Sequence, residues 1–99
     1  MGEPFASGNW HVMEGKEQEF IERWREWLGW TRETQPALQH ANLVQNESDP
    51  RHFISFAQWE DAASRNAWKQ SEEFAQKFGA VRALCEEFHG GDYERVVAV

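Results

Sequence analysis

The segment His52–Trp59 constrains this chain more than any other. Read as a strand, it points Phe53, Ser55, Ala57 and Trp59 to one side and His52, Ile54, Phe56 and Gln58 to the other. Large apolar groups stand on both sides. An antiparallel sheet backed by one layer of helices usually keeps one dry and one wet face, and its strands alternate cleanly. Helices can cover only one face of such a sheet, so something else is expected over Ile54 and Phe56. A second copy of the sheet is the simplest cover, because closed two-fold dimers are the commonest oligomers. The expectation is a homodimer.

The remaining segments supply a sheet and helices to accompany that strand. From Ser7 to Met13, Trp10 and Val12 alternate against Asn9 and His11, which predicts a first strand. Phe20, Trp24, Trp27, Leu28 and Thr31 recur at helical spacing and predict an amphipathic helix from about Lys16 to Glu33. Pro36 closes it, since proline disfavours helical geometry in the residue before it. Ala37 to Gln45 reads as a second strand with Leu38, His40, Asn42 and Val44 on one face. Asn46-Glu47-Ser48-Asp49-Pro50 is a turn by its residue chemistry, which makes the flanking strands a hairpin. Asp61 suits the cap of a short helix from Ala62 to Gln70. Ser71 suits the cap of another, with Phe74, Phe78, Val81, Leu84, Cys85 and Phe88 as its apolar face and Gly90-Gly91 as its end. Asp92 to Val99 reads as the last strand. The order β-α-β-β-α-β is the ferredoxin-like arrangement, an α+β fold with a four-stranded antiparallel sheet. Residues 1–6 are expected to be a flexible lead into one domain, 7–99.

Composition narrows the function classes. The 99 residues make one domain and carry 6 Trp and 7 Phe. Each such ring buries ~150–250 Å², so part of this aromatic mass is expected at a pocket or a subunit interface. The net charge of −7 opposes phosphate backbones and anionic lipid, so neither nucleic acid nor a membrane is an expected partner. The first residues lack the basic and apolar runs of a signal peptide, and Cys85 is the sole cysteine. A cytoplasmic protein without disulfides or thiolate zinc sites is expected. His11, His40 and His52 fall on three different strands without ligand spacing, so no metal is expected. As general bases histidines are better suited, and His40, which shares a face with Asn42, is the preferred one.

Several segments together resemble the antibiotic biosynthesis monooxygenase family. Gly15-Lys16-Glu17-Gln18-Glu19-Phe20 resembles its Gly-Lys-x-x-x-Phe start of the first helix. Pro36-Ala37-Leu38 stands where the family has proline, glycine and an aromatic or aliphatic residue. Asp49-Pro50-Arg51-His52-Phe53 resembles its Asp-Pro-x-x-Phe hairpin. Phe56-Ala57-Gln58-Trp59-Glu60 followed by Ala67-Trp68 resembles its Trp-Glu strand end and the tryptophan nine residues on. The likeness runs from about Asn9 to Val99, and the order and spacing of the motifs carry it.

The resemblance implies ferredoxin-like protomers whose sheets pair into a dimeric α+β barrel, each with a pocket between sheet and helices. It also implies an oxygenase that needs no cofactor and acts on a small aromatic or quinol-type molecule. Trp59 matches the family's motif tryptophan, while Ser55 stands in place of an asparagine and Arg65 in place of a tyrosine. The resemblance and the residue chemistry together give Trp59, His40 and Arg65 as the expected reactive set, with Ser55, Trp68, Phe78 and Asn9 at the pocket. A related branch degrades haem with a histidine ten residues after the helix tryptophan; here that position is Phe78, which cannot ligate iron. The reading from a different class is a dimeric domain of the same fold that binds a small ligand without catalysis.

Overall fold

A computed structural model describes residues 2–99. The elements run β1 (Pro4–Val12), α1 (Glu17–Thr34), β2 (Leu38–Gln45), β3 (His52–Trp59), α2 (Ala62–Lys69), α3 (Glu72–Arg82) and β4 (Cys85–Glu94). The four strands form one antiparallel sheet in the order β2-β3-β1-β4. This is the ferredoxin-like α+β fold expected from the pattern, with the three helices on one face.

Local chemistry explains the helix boundaries. Gly15 takes a positive φ of 83° at the turn before α1, a geometry glycine adopts without steric cost. Phe20, Trp24, Trp27, Leu28 and Thr31 are the buried stripe of α1, as their spacing predicts. Asp61 caps α2, its carboxylate accepting from the Ser64 backbone N–H at 2.7 Å. That bond and one to the Ser64 side chain hold the carboxyl below its usual range. Ser71 caps α3 by accepting from the Phe74 N–H at 3.1 Å. In the β2–β3 turn, Asn46 Oδ1 accepts from the N–H groups of Ser48 and Asp49 at 2.8 and 3.2 Å, the side-chain turn expected of this sequence.

Four expectations need correction. First, β1 begins at Pro4, so residues 4–6 belong to the sheet instead of a flexible lead; Phe5 pairs with Gln58 on one side and Tyr93 on the other. Second, α3 ends at Arg82, and Cys85 to Glu94 form the last strand. Phe88 therefore lies opposite Trp10 in the sheet, and Gly90 lies opposite Gly8 in mid-strand. A bulge explains the misreading. One step from His11 to Val12 on β1 faces two steps from Glu87 to Cys85 on β4, so Cys85 and Phe88, three apart, both turn inward and mimic a helical repeat. Third, residues 95–99 form no strand, and Val96 and Val97 are exposed. The ladder ends at the pair Pro4–Glu94, and Arg95 ties down the chain through Glu3 instead. Fourth, β2 carries a bulge between Leu38 and His40. It leaves Leu38 buried but turns His40, Asn42 and Val44 to the outer face, while Ala41 and Leu43 pack on the core.

Cys85 is the first residue of β4 and is buried. Its Sγ lies 3.7 Å from the Val81 carbonyl, and burial pushes the thiol up to about 11, against a smaller opposing pull from Arg82. The thiolate is the reactive form. Alkylation by iodoacetamide, followed by mass spectrometry on the native protein, is therefore expected to stay slow through pH 9 and to accelerate only towards pH 11. Rapid labelling at pH 8 would contradict the burial of this thiol.

Candidate functional site: an aromatic cavity between sheet and helices

The sheet's helix-facing side is built in rows. One row runs Phe53–Trp10–Phe88 across β3, β1 and β4; the next runs Ser55–Gly8–Gly90; the next runs Ala57–Ala6–Asp92. Bulk thus stands in the first row, and the following two hold mainly glycine, alanine and serine. Over those small residues the helices contribute Trp24, Trp27 and Leu28 from α1, Trp68 from α2, and Phe74 and Phe78 from α3. Small floor and large roof do not meet, and a cavity of about 270 Å³ remains between them. A cavity of ~150 Å³ lined by apolar side chains takes up benzene, so this one has room for a fused bicyclic aromatic.

Rings surround it in mutual contact. Trp10 meets Phe88 at a centroid distance of 4.3 Å, Phe20 at 5.3 Å and Phe78 at 6.0 Å. Trp27 and Trp68 stack at 5.7 Å with 19° between their planes. The glycines of the floor are sterically required. A Cβ on Gly8 would lie 2.6 Å from Trp10 Nε1, and one on Gly90 would lie 2.8 Å from the Phe88 ring.

Polar groups on the wall are few. The buried Trp10 Nε1–H donates to Ser55 Oγ at 3.0 Å, so the Ser55 hydroxyl keeps its own proton to donate elsewhere. Lys69 lies on the wall at the solvent edge, its ammonium paired with Asp92. The same carboxylate oxygen of Asp92 is 3.6 Å from Arg65 Nε. The indole N–H groups of Trp27, Trp59 and Trp68 are buried without an acceptor among the described residues. Each such orphan costs ~1–3 kcal/mol. Neither a carboxylate nor an imidazole lines the cavity among the described residues, and no cluster of three or more potential metal-ligating side chains occurs among them.

The structure brings together three of the residues singled out from the sequence: Ser55, Trp68 and Phe78 line the cavity. Trp59 lies behind them, fully buried, 4.9 Å from Trp68 by ring centroids; it supports the wall without forming it. Arg65 is buried one turn before Trp68 on α2 but outside the cavity lining, where Nη1 donates to the Phe5 carbonyl at 3.3 Å. His40 is exposed on the outer face beyond the β2 bulge. Asn9 is also on the outer face, its Oδ1 2.9 Å from His52 Nε2. Gly8, Gly90 and Lys69 escaped the sequence reading. The two glycines become meaningful only once the register sets them opposite one another, and Lys69 follows Trp68 on a helix too short to reveal which side chains reach a cavity.

Comparison with known proteins agrees with this architecture. The model of the family described as antibiotic biosynthesis monooxygenase matches residues 6–78. Among solved structures, SnoaB, a cofactor-independent oxygenase from Streptomyces nogalater, is similar in fold in its N63A mutant form. The TM-score is 0.90 at 17% identity, covering 100% of this chain and 98% of that one. A conserved protein from Methanosarcina mazei superposes with a TM-score of 0.82 at 18% identity, over 94% and 92% of the two chains. A protein from Shewanella oneidensis gives 0.83 at 19% identity, over 98% and 94%. No curated protein sequence matches the chain.

Because Ser55 is the acceptor for a buried indole, Ser55→Ala is expected to destabilise the protein by about 1–3 kcal/mol. For a domain of this size that lowers Tm by about 4–8 °C per kcal/mol. Ser55→Thr, which keeps the hydroxyl, is expected to lose much less. Thermal melts of the two variants check this, and equal losses would show that the Trp10–Ser55 bond contributes little.

Proposed function

Since the chain belongs to the antibiotic biosynthesis monooxygenase family, we propose that it is a cofactor-independent oxygenase of a small, flat, quinol- or anthrone-type aromatic. The observation that carries the reading is the ring-walled cavity, with room for a fused bicyclic or similar molecule and with the Ser55 hydroxyl in its floor. An apolar cleft with a few placed polar groups is the usual form of a small-molecule site. SnoaB, whose fold is similar, is itself described as a cofactor-independent oxygenase.

In such a reaction the substrate supplies the electrons. A ring methylene loses a proton, the resulting carbanion reduces oxygen, and a C–O bond forms. Loss of water from the hydroperoxide leaves a carbonyl. One oxygen atom ends in that carbonyl and the other in water, with all four electrons drawn from the methylene carbon. The cavity's part is to hold the ring system and exclude water, and donors near the developing anion lower the barrier by charge stabilisation. Trp68 and Phe78 take the ring face, and Ser55 takes an oxygen. Trp59 keeps Trp68 in place, and Arg65 anchors Asp92.

A second reading, a ligand-binding domain without catalysis, is favoured by the lack of a carboxylate or imidazole on the cavity wall. Oxygen-electrode assays separate the two. Purified protein with a panel of anthrones and hydroquinones is expected to consume oxygen faster than the uncatalysed background. Ala57→Phe, which fills the cavity from its floor, is expected to reduce that excess at least tenfold while circular dichroism stays native. No excess with any of the compounds would favour the binding domain.

The functional unit of this reading is a homodimer in the cytoplasm. Phe56 and Val44 are 42% and 49% exposed on the helix-free face of the sheet, and Ile54 lies beside them; a second sheet packed face to face would cover all three. The free thiol of Cys85 suits a reducing compartment. Light scattering after size exclusion is expected to give twice the chain mass for the wild type and one chain mass for Phe56→Asp. A monomeric wild type at micromolar concentration would remove the dimer.

A further inference from the structure

The polar groups of the cavity share one chemical character. Ser55 has already accepted a hydrogen bond from Trp10 and retains a proton to give. Lys69 carries an ammonium. Nothing that takes up a proton at neutral pH stands on the wall among the described residues.

The charge at the solvent edge points the same way. Lys69 and Arg65 both lean on one oxygen of Asp92, so two cations share one carboxylate. Asp92 also lines a separate depression, together with Glu60, Asp61, Glu94 and Arg65 and without Lys69. In a chain of net charge −7, the edge of this apolar cavity therefore carries a cation, Lys69, whose carboxylate partner Asp92 also has Arg65 beside it. Lys69 is also about one-third exposed, free enough to turn from Asp92 towards a ligand while Arg65 stays with the carboxylate.

We propose that the cavity selects its aromatic ligand in the anionic form, a phenolate or enolate whose oxygen is held by Lys69 and the Ser55 hydroxyl. This rests on the reading of the cavity as the ligand site and adds the ionic state of what enters it. A site with donors and no base does not remove a substrate proton itself. It captures molecules acidic enough to have ionised in water and holds them as anions. Lys69 thereby becomes the residue that determines specificity between ionising aromatics and neutral ones of the same shape.

The sign of one shift tests this. A plain apolar cavity disfavours charge and raises the ionisation pH of a bound phenol, whereas a cation and donors lower it. Para-nitrophenol is a suitable probe, because its phenolate is read directly by absorbance. Bound to the wild-type protein it is expected to ionise at least one pH unit lower than free in solution, a tenfold preference for the phenolate. Lys69→Gln is expected to abolish or reverse that shift, Lys69→Arg to keep most of it, and Asp92→Asn, which releases Lys69, to enlarge it. A shift to higher pH in the wild type, an unchanged shift in Lys69→Gln, or no spectral change up to the solubility limit would each overturn the proposal. Oxygen uptake measured on the same preparations keeps the two readings apart. A lowered ionisation pH without uptake leaves this inference standing and removes the oxygenase; uptake without the shift does the reverse.

Discussion

The hydrogen bond from Trp10 to Ser55 is the interaction around which the molecule is arranged. A buried indole N–H must find an acceptor or cost stability, and Ser55 on the neighbouring strand provides it at 3.0 Å. The bond fixes the direction in which the Trp10 ring lies, along the inner face over Gly8. A Cβ at Gly8 would press on both partners of the bond, so glycine is required where the ring passes. From this position Trp10 reaches α1 through Phe20 and Trp27, α3 through Phe78, and β4 through Phe88. One side chain thus ties both flanking strands to two helices. The same geometry produces the cavity, because the small residues in the adjoining rows cannot fill the space beneath the helices.

How much of this was legible in the sequence depended on whether periodicity stayed intact. The stripe of α1, Phe20 to Thr31, is uninterrupted over three turns, and it was read correctly residue by residue. The alternation of β3 likewise gave the right residues on the right faces. Two of the four misreadings lie at β-bulges. In β4 the extra residue brings Cys85 and Phe88 to one face three positions apart, which is a helical interval. Gly90-Gly91 then looked like a helix end, since glycine is depleted in strands. In β2 the bulge after Leu38 exchanges the faces of everything that follows, and so His40 was assigned beside Leu38. A one-residue offset of this kind reverses every side chain beyond it and leaves no compositional trace.

The candidate site was legible in the same uneven way. Ser55, Trp68 and Phe78 came from motif spacing or from the apolar stripe, and all three reach the cavity. Asn9 and His40 were chosen for their chemistry without knowledge of which face they occupied, and both lie on the outer face. Trp59 illustrates a subtler gap. Its place in the motif marked it as important, and its burial behind Trp68 gives that importance a packing origin. Arg65 stands where the family pattern has a tyrosine of the reactive set, yet its guanidinium faces Asp92 and the Phe5 carbonyl. What it contributes to the cavity passes through Asp92 to Lys69.

That relay bears on how an apolar cavity can handle a charged ligand. Burying an anion among rings is costly unless a counter-charge is already in place. A free lysine at the edge would be solvated and mobile, and it would lose conformational freedom on binding. A lysine held firmly by its own carboxylate would be neutralised and would attract nothing. Sharing Asp92 between Arg65 and Lys69 lies between these extremes. The carboxylate keeps Lys69 near the opening, and Arg65 remains as the partner of Asp92 when Lys69 turns away. The chain's overall acidity adds to the discrimination, since a net charge of −7 makes the approach of anions to its surface unfavourable on average, and among the residues lining the cavity the cation is Lys69. Aromatic packing therefore sets the shape that fits, and the shared carboxylate sets the charge.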